Sequence, residues 1–397
     1  MNKNMRVLYI ANSTSVSGGD NKSLLTLLSY VMQEGIEPMV VVPDKDGIYE
    51  SLRNKGIRVF VVDYRMDIYP NFSTIKDKFL FLPRLVARRF IEFYAERKIS
   101  TICEDMKIDL IHSNVSVLSC GLRAARKCGL PHVAHVREYV DIDFHIHPYP
   151  NMKSFLKRLN GNGSYLICIT RGIQEHHGFV GRNVKQIYNG INIEVLDNNS
   201  VLFDEEYFFY AGRIEQAKGV LHLIEAYSSF IDIYPNGPSL KLAGQINDSV
   251  YYSKIMNFIS LKGLEDKISF LGSRKDVQVL MKNALATIVP SFFEAFGRCL
   301  PEAMLNGCLT IGHDTGGTKE QYDNGLNECG LEIGLRYKNK AELTCRLEEV
   351  FKYGHTERFT EMRNRAKDVV RKLYSPKQYV EGVCSFYRQI LNNNLSR

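Results

Sequence analysis

No stretch of about 18 uncharged apolar residues occurs in this 397-residue chain, so nothing in it reads as a membrane-spanning helix. No secretory leader is expected, since Met1-Asn2-Lys3-Asn4-Met5-Arg6 reads straight into a strand with no apolar segment before it. The nine cysteines are odd in number and include no C-x-x-C pair, which argues for scattered core thiols over a disulfide framework or a zinc site. A reducing, cytoplasmic setting is therefore expected. There is no short-period repeat and no low-complexity segment. The absence of G-x-G-x-x-G leaves a nicotinamide dinucleotide with little support. No nucleic-acid recognition motif accompanies the basic residues, so nucleic acid is not an expected partner.

What is present fits a globular protein of more than one core. Hydrophobic residues make up 45% and charged residues 24%, and the length suggests two domains. Short apolar runs alternate with helical stretches. Residues 6–11, 38–42, 58–62, 109–112, 132–136 and 165–169 read as buried parallel strands, with 21–32 and 117–127 among the crossover helices. After Asn189-Gly190-Ile191-Asn192 the polar residues 197–200 read as a linker. The alternation then restarts at 207–211, 240–243, 268–271, 286–289 and 309–312. The pattern predicts an α/β protein with two tandem Rossmann-like, doubly wound domains facing across a ligand cleft. The expected bounds are 1–195, 203–375 and a final helix at 376–397. In that tail Tyr379, Val383, Phe386 and Ile390 recur at helical spacing, so it could lie back across both domains.

Two blocks carry chemistry. Ser291-Phe292-Phe293-Glu294-Ala295-Phe296-Gly297 runs into Arg298-Cys299-Leu300-Pro301-Glu302, directly after the strand at 286–289. Proline suits a first helical turn, where its missing N–H has no partner to lose. Glu302 is thus expected in that turn among unpaired amides, with Glu294 left on the loop, both facing one pocket. Gly212-Arg213-Ile214-Glu215-Gln216-Ala217-Lys218-Gly219 likewise follows a strand and opens a helix. Arg213 offers a planar fork for phosphate oxygens and Lys218 a compact point charge, while Gly219 permits close approach at a helix start that favours anions. Alone, this block could equally be an exposed basic pair in an ordinary loop.

Gly18-Gly19 follows the first strand and can set amides against a diphosphate or merely turn the chain. Gly316-Gly317-Thr318-Lys319-Glu320 could pack beneath a ligand or form a turn. His132 and His135 fall on one strand and can be buried and satisfied, or can edge the cleft. Asp141-Ile142-Asp143 matches the metal motif of a different transferase fold that nothing else here supports, and it is set aside. The net charge of +7 is uneven. Between Lys76 and Lys98, seven cations stand against Asp77, Glu92 and Glu96 and interleave with apolar Phe79, Leu80, Leu82, Leu85, Val86, Phe90, Ile91, Phe93 and Tyr94. The apolar stripe can pack on the chain's own domain, which the sequence favours, or lie on an anionic membrane.

With these residues in hand, the chain resembles the retaining family-four glycosyltransferases of the GT-B fold, of bacterial surface-polysaccharide type, over nearly its whole length. The resemblance rests on E-A-F-G-x-x-x-P-E-A-M at 294–304, G-R-x-x-x-x-K-G at 212–219, Gly316-Gly317 with Glu320, Asn189-Gly190-Ile191 and Gly18-Gly19, in matching order. It implies a nucleotide-sugar donor held mainly by the C-terminal domain. By that resemblance Arg213 and Lys218 neutralise the diphosphate, Glu302 accepts from the ribose hydroxyls, and Glu294 contacts the transferred sugar. Amides of Phe296, Gly297, Arg298 and Cys299 line phosphate and sugar, and Gly18 and Gly19 close over the diphosphate. Many relatives carry a histidine where this chain has Arg137. Arginine stays protonated and cannot act as a base, leaving contact with an anionic sugar, the acceptor or the donor. No metal and no organic cofactor is expected. The implied reaction is transfer of a hexose-type sugar to a glycan or lipid-linked acceptor, with residues 76–98 available to rest on an anionic membrane. Two alternatives stand beside it: a silent nucleotide-sugar-binding partner, and a glycoside hydrolase using Glu294 and Glu302 about 5–9.5 Å apart.

Overall fold

Runs such as Leu8-Tyr9-Ile10 and Met39-Val40-Val41 have no polar alternation, so both strand faces must be covered, and the chain meets that demand with two wholly parallel sheets. The computed structural model describes residues 4–13, 15, 18–69, 79–142, 148–161, 164–192 and 205–395. Two compact units result: residues 1–190 with 376–397, and residues 191–375. The predicted linker at 197–200, together with Lys76, Lys78 and Asp143, lies outside the described residues.

The first unit's strands are β1 Met5–Ile10, β2 Ile36–Val42, β3 Arg58–Val61, β4 Leu110–Ser113, β5 His132–Val136, β6 Ser164–Cys168 and β7 Val184–Gln186. They lie in the order β3-β2-β1-β4-β5-β6-β7. The second unit has β8 Tyr207–Ala211, β9 Ser239–Ala243, β10 Ile268–Gly272, β11 Ala286–Val289, β12 Leu309–His313 and β13 Leu335–Tyr337, in the order β10-β9-β8-β11-β12-β13. In each sheet the strand order reverses once, between β1 and β4 and between β8 and β11. Such switch points leave a crevice at the carboxyl ends of the strands.

Sequence patterning did not indicate β7 or β13. Each has three residues with a charged one at its centre, Lys185 and Arg336, so no apolar run exists to read. Both are edge strands completed by a neighbour already in place. All nine cysteines are free thiols, and five are buried.

The helix Pro376–Leu395 sets Tyr379, Val383, Phe386, Tyr387 and Ile390 into the first unit's core, each at most 3% exposed. Transfer of such side chains from water is worth about 1.5–3 kcal/mol apiece as an upper bound. It packs against the helix Gly19–Tyr30.

The helix Phe81–Met106 departs from expectation. Of the apolar residues expected to pack on its own unit, only Leu80, Leu85 and Ile91 are half-buried: Phe79, just before the helix, and Leu82, Val86, Phe90, Phe93 and Tyr94 on it are exposed. The buried stripe instead carries Glu92 with Ala95, Ile99 and Cys103. Glu92 meets Arg88 at 3.1 Å and Arg123 at 3.4 Å, and Asp67 meets Arg158 at 2.6 Å and Arg88 at 3.7 Å. Buried charges need partners, and these residues find them only in this rotational setting.

Candidate active site

At the switch point of the second unit two loops meet, one after β8 and one after β11. The first passes through Arg213 into a turn of 3₁₀ helix, Gln216–Lys218, and then Gly219 opens the helix Val220–Ile233. Gly219 has φ +66°, and a Cβ there would stand 2.1 Å from the carbonyl oxygen of Pro290, just past β11. Only glycine lets the two loops approach this closely. Their contact is extended by the amide of Phe292, which donates to the Ala217 carbonyl at 3.2 Å.

This approach fixes the pair the motifs singled out. Lys218 Nζ lies 2.7 Å from Glu294 Oε1, with both side chains about four-fifths buried. The Glu294 loop is underpinned by the helix Gly316–Cys329. The Gly317 amide donates to the Glu294 carbonyl at 2.7 Å, and buried Gln321 donates to the Phe296 carbonyl. A Cβ on Gly317 would sit 2.6 Å from the Phe296 oxygen, so the glycine pair serves as a floor for the loop. Thr315 adds a hydroxyl bond to the Phe292 carbonyl at 2.9 Å.

Glu302 stands in the first turn of the short helix Cys299–Leu305, where Pro301 also lies. Its carboxylate is held by Arg298 at 3.1 Å. Burial, with Glu302 and Glu294 nearby, raises the Cys299 thiol well above its usual range and keeps it protonated. Both glutamates thus surround one inert thiol, and each has its own cation. Phe296 is buried, its ring edge-on to Tyr374, so only its backbone faces the loop. Arg213 is the outlier: its side chain is 58% exposed and, among the described residues, pairs with Glu215 at 3.1 Å.

Sequence reasoning gave no role to four ring residues beside this loop. His222, from the first turn after Gly219, stacks on Tyr337 at 6.1 Å between centroids, and His313 stacks on Tyr337 at 5.1 Å. Phe292 lies across both histidines. Burial and the neighbouring His313 lower the basicity of His222. No motif marks His222, His313 or Tyr337, which converge on Phe292 of the Glu294 block from separate elements.

The remaining candidates belong to the first unit. Gly18 caps the helix Gly19–Tyr30 beside the β1/β4 switch point. There Asn12 donates to Asp20 at 3.0 Å, and Asn21 donates to the carbonyls of Ser13 and Ser15. Arg137 is engaged by partners within its own unit. Its guanidinium is buried and donates to Asn114, to Asn189 at 2.5 Å and to Tyr379 at 3.0 Å, and it contacts His135 at 3.2 Å. His135 is buried between Arg137 and His112, and burial with the nearby guanidinium holds both rings neutral.

Residues 193–368 match the sequence model described as glycosyl transferases group 1, and residues 17–195 match that of glycosyltransferase family 4. The chain is a glycosyltransferase of the family-four type. An uncharacterised glycosyltransferase of Methanocaldococcus jannaschii, MJ1607, is 23% identical over 317 residues, taking in 71% of this chain and 78% of that one. Among solved structures, Anabaena HepE in complex with UDP superposes with a TM-score of 0.76 at 19% identity, covering 97% of this chain and 100% of HepE. The lipopolysaccharide outer core galactosyltransferase WaaB, without ligand, gives 0.67 at 17% identity over 97% and 99% of the two chains. These likenesses establish the GT-B fold for this transferase: two Rossmann-like domains, each on a parallel sheet. No described helix is long and apolar enough to cross a membrane.

Proposed function

We propose that this glycosyltransferase moves a hexose-type sugar, with retention at the anomeric carbon, from a UDP- or GDP-linked donor to a hydroxyl of a glycan or lipid-linked acceptor at a membrane's inner face. The second unit holds the donor and the first the acceptor. The observation that carries the proposal is the Lys218–Glu294 pair at the β8/β11 switch point, beside the N-terminus of the helix Val220–Ile233. The transferases HepE, with UDP, and WaaB, of the lipopolysaccharide outer core, are similar in fold and fit such a reading.

Breaking the anomeric bond places growing negative charge on the diphosphate. Lys218 turns from Glu294 toward that charge, and exposed Arg213 swings in from the same loop, with the helix-start amides behind them. Preorganised positive potential of this kind lowers the barrier by stabilising what develops in the transition state. These side chains supply the countercharge, so the proposed transfer is metal-independent. Glu294, released from Lys218, accepts from hydroxyls of the sugar. Glu302, braced by Arg298, accepts from the ribose. The donor phosphate itself assists the acceptor hydroxyl, so neither glutamate needs to carry a proton. A hydrolase built on the two glutamates would leave the cations Arg213 and Lys218, on the neighbouring loop, without a task.

The test is a panel of nucleotides and nucleotide sugars screened for thermal protection, combined with Lys218→Ala. A bound donor at a hundred times its Kd adds about 2.7 kcal/mol of apparent stability. Protection by one nucleotide class is expected, with transfer abolished in Lys218→Ala while its fold persists. Undiminished turnover by that variant, or no protection by any nucleotide, would defeat the assignment.

A further inference from the structure

We propose that the exposed face of the helix Phe81–Met106 is a docking surface for an anionic phospholipid bilayer. It rests on the lipid-linked acceptor proposed above for its use, and on the helix alone for its geometry. At 3.6 residues per turn Phe79, Leu82, Val86, Phe90, Phe93 and Tyr94 fall on one stripe. Each is more than half exposed, Phe79 reaching 81%. A free-standing aromatic stripe of this length is unusual on a monomer and marks a surface that something covers.

The stripe is not an accident of loose packing. Turning it inward would carry Arg88 and Glu92 out of the ion-pair cluster they share with Asp67, Arg123 and Arg158. That cluster is buried, Asp67 and Glu92 being at most 8% exposed, so the helix is locked with its charges inside and its aromatics outside. Alongside the stripe, Leu85, Val86, Arg89, Phe90 and Phe93 line a furrow of about 400 Å³ with Tyr149 on its far bank.

The charge around the stripe selects the occupant. Arg89, Arg97 and Lys98 are exposed along it, while Glu96 is half-buried against Arg123. The Arg97 guanidinium lies 4.6 Å from the Phe93 ring centroid and the Lys98 ammonium 5.5 Å from that of Tyr94. Cations therefore sit level with the aromatic edge, where phosphate headgroups meet acyl chains. The exposed acids Glu104 and Asp105 begin about 15 Å beyond Tyr94 along the axis. A second copy docked on the same face would bring these cations against one another, whereas a bilayer with anionic lipid neutralises them.

The experiment sediments the full-length protein with vesicles of phosphatidylcholine mixed with phosphatidylglycerol, and with phosphatidylcholine alone. Wild type is expected to pellet with the anionic vesicles and to be released by salt. Phe90→Glu/Phe93→Glu should reduce partitioning roughly tenfold or more, and Arg89→Glu/Arg97→Glu should remove the preference for anionic vesicles. Thermal protection by nucleotide, unchanged in both variants, shows that they are folded. Wild type left in the supernatant, or a Phe90→Glu/Phe93→Glu protein that pellets like wild type, overturns the proposal. So does a concentration-dependent dimer in light scattering that the same variant dissolves, since the face would then join copies of the chain. Vesicle binding without nucleotide protection would instead defeat the donor assignment and leave the docking surface standing.

Discussion

Replacing Gly219 by alanine separates two costs that the structure superimposes. The first is conformational: at φ +66° an L-residue pays about 1–2 kcal/mol for left-handed backbone. Gly263 carries the same cost alone, with φ +62° and no atom within 4 Å of where a Cβ would stand. The second is steric and peculiar to Gly219. A Cβ placed 2.1 Å from the Pro290 oxygen must recede by about 1 Å to reach even the 3.0 Å that real contacts keep. Since the obstacle is backbone, the β8 and β11 loops must part, at a further cost of about 1–3 kcal/mol. Gly263→Ala should therefore lower Tm by roughly 2–8 °C and leave transfer unchanged. Gly219→Ala should lose about 2–5 kcal/mol in all. Because Lys218 and Glu294 belong to the two parting loops, kcat/KM should also fall on the order of a hundredfold, as a 1 Å misplacement of reacting groups does. Calorimetry and a donor-consumption assay on both variants decide the matter. If Gly219→Ala behaved like Gly263→Ala in stability and in turnover, the close approach would not be what positions the site.

Two further outcomes are expected. Arg137→Ala leaves the side-chain oxygens of Asn114 and Asn189 buried without their donor, which should cost about 3–5 kcal/mol, and lysine should not restore it because its ammonium cannot span the same acceptors. A fall in Tm with little change in donor KM is the expected pattern; a raised KM at unchanged Tm would return Arg137 to the ligand. Burial lowers His112 and His135 well below their ordinary value near 6.5 and His132 to about 3, so the folded chain binds fewer protons than the unfolded one in acid. Stability from these rings is whole above pH 6.5 and is lost as pH falls below it, by about 1.4 kcal/mol per pH unit for each histidine. Urea midpoints that stay flat from pH 6.5 to 5 would refute the buried neutral histidines.

The α/β class was legible because eleven strands announce themselves as apolar runs bounded by turns. The glutamate and lysine blocks were legible because glycine, proline and charge at fixed spacing allow few local conformations. Arg137 could not be assigned, since its partners Asn114, Asn189 and Tyr379 are distant in sequence and ordinary in type. The ring cluster of His222, Phe292, His313 and Tyr337 was invisible for the same reason.

By itself the sequence determined two parallel sheets and put Lys218 and Glu294 on loops leaving the carboxyl ends of strands, because local patterning and turn chemistry act over a few residues. Only the tertiary structure decided that β8 and β11 are neighbours, and so that those two residues touch. It also decided which way the helix Phe81–Met106 faces. Patterning favoured burying the aromatics, but the partners that fix Glu92 and Asp67 come from separate segments, and an unpaired buried charge outweighs an exposed ring.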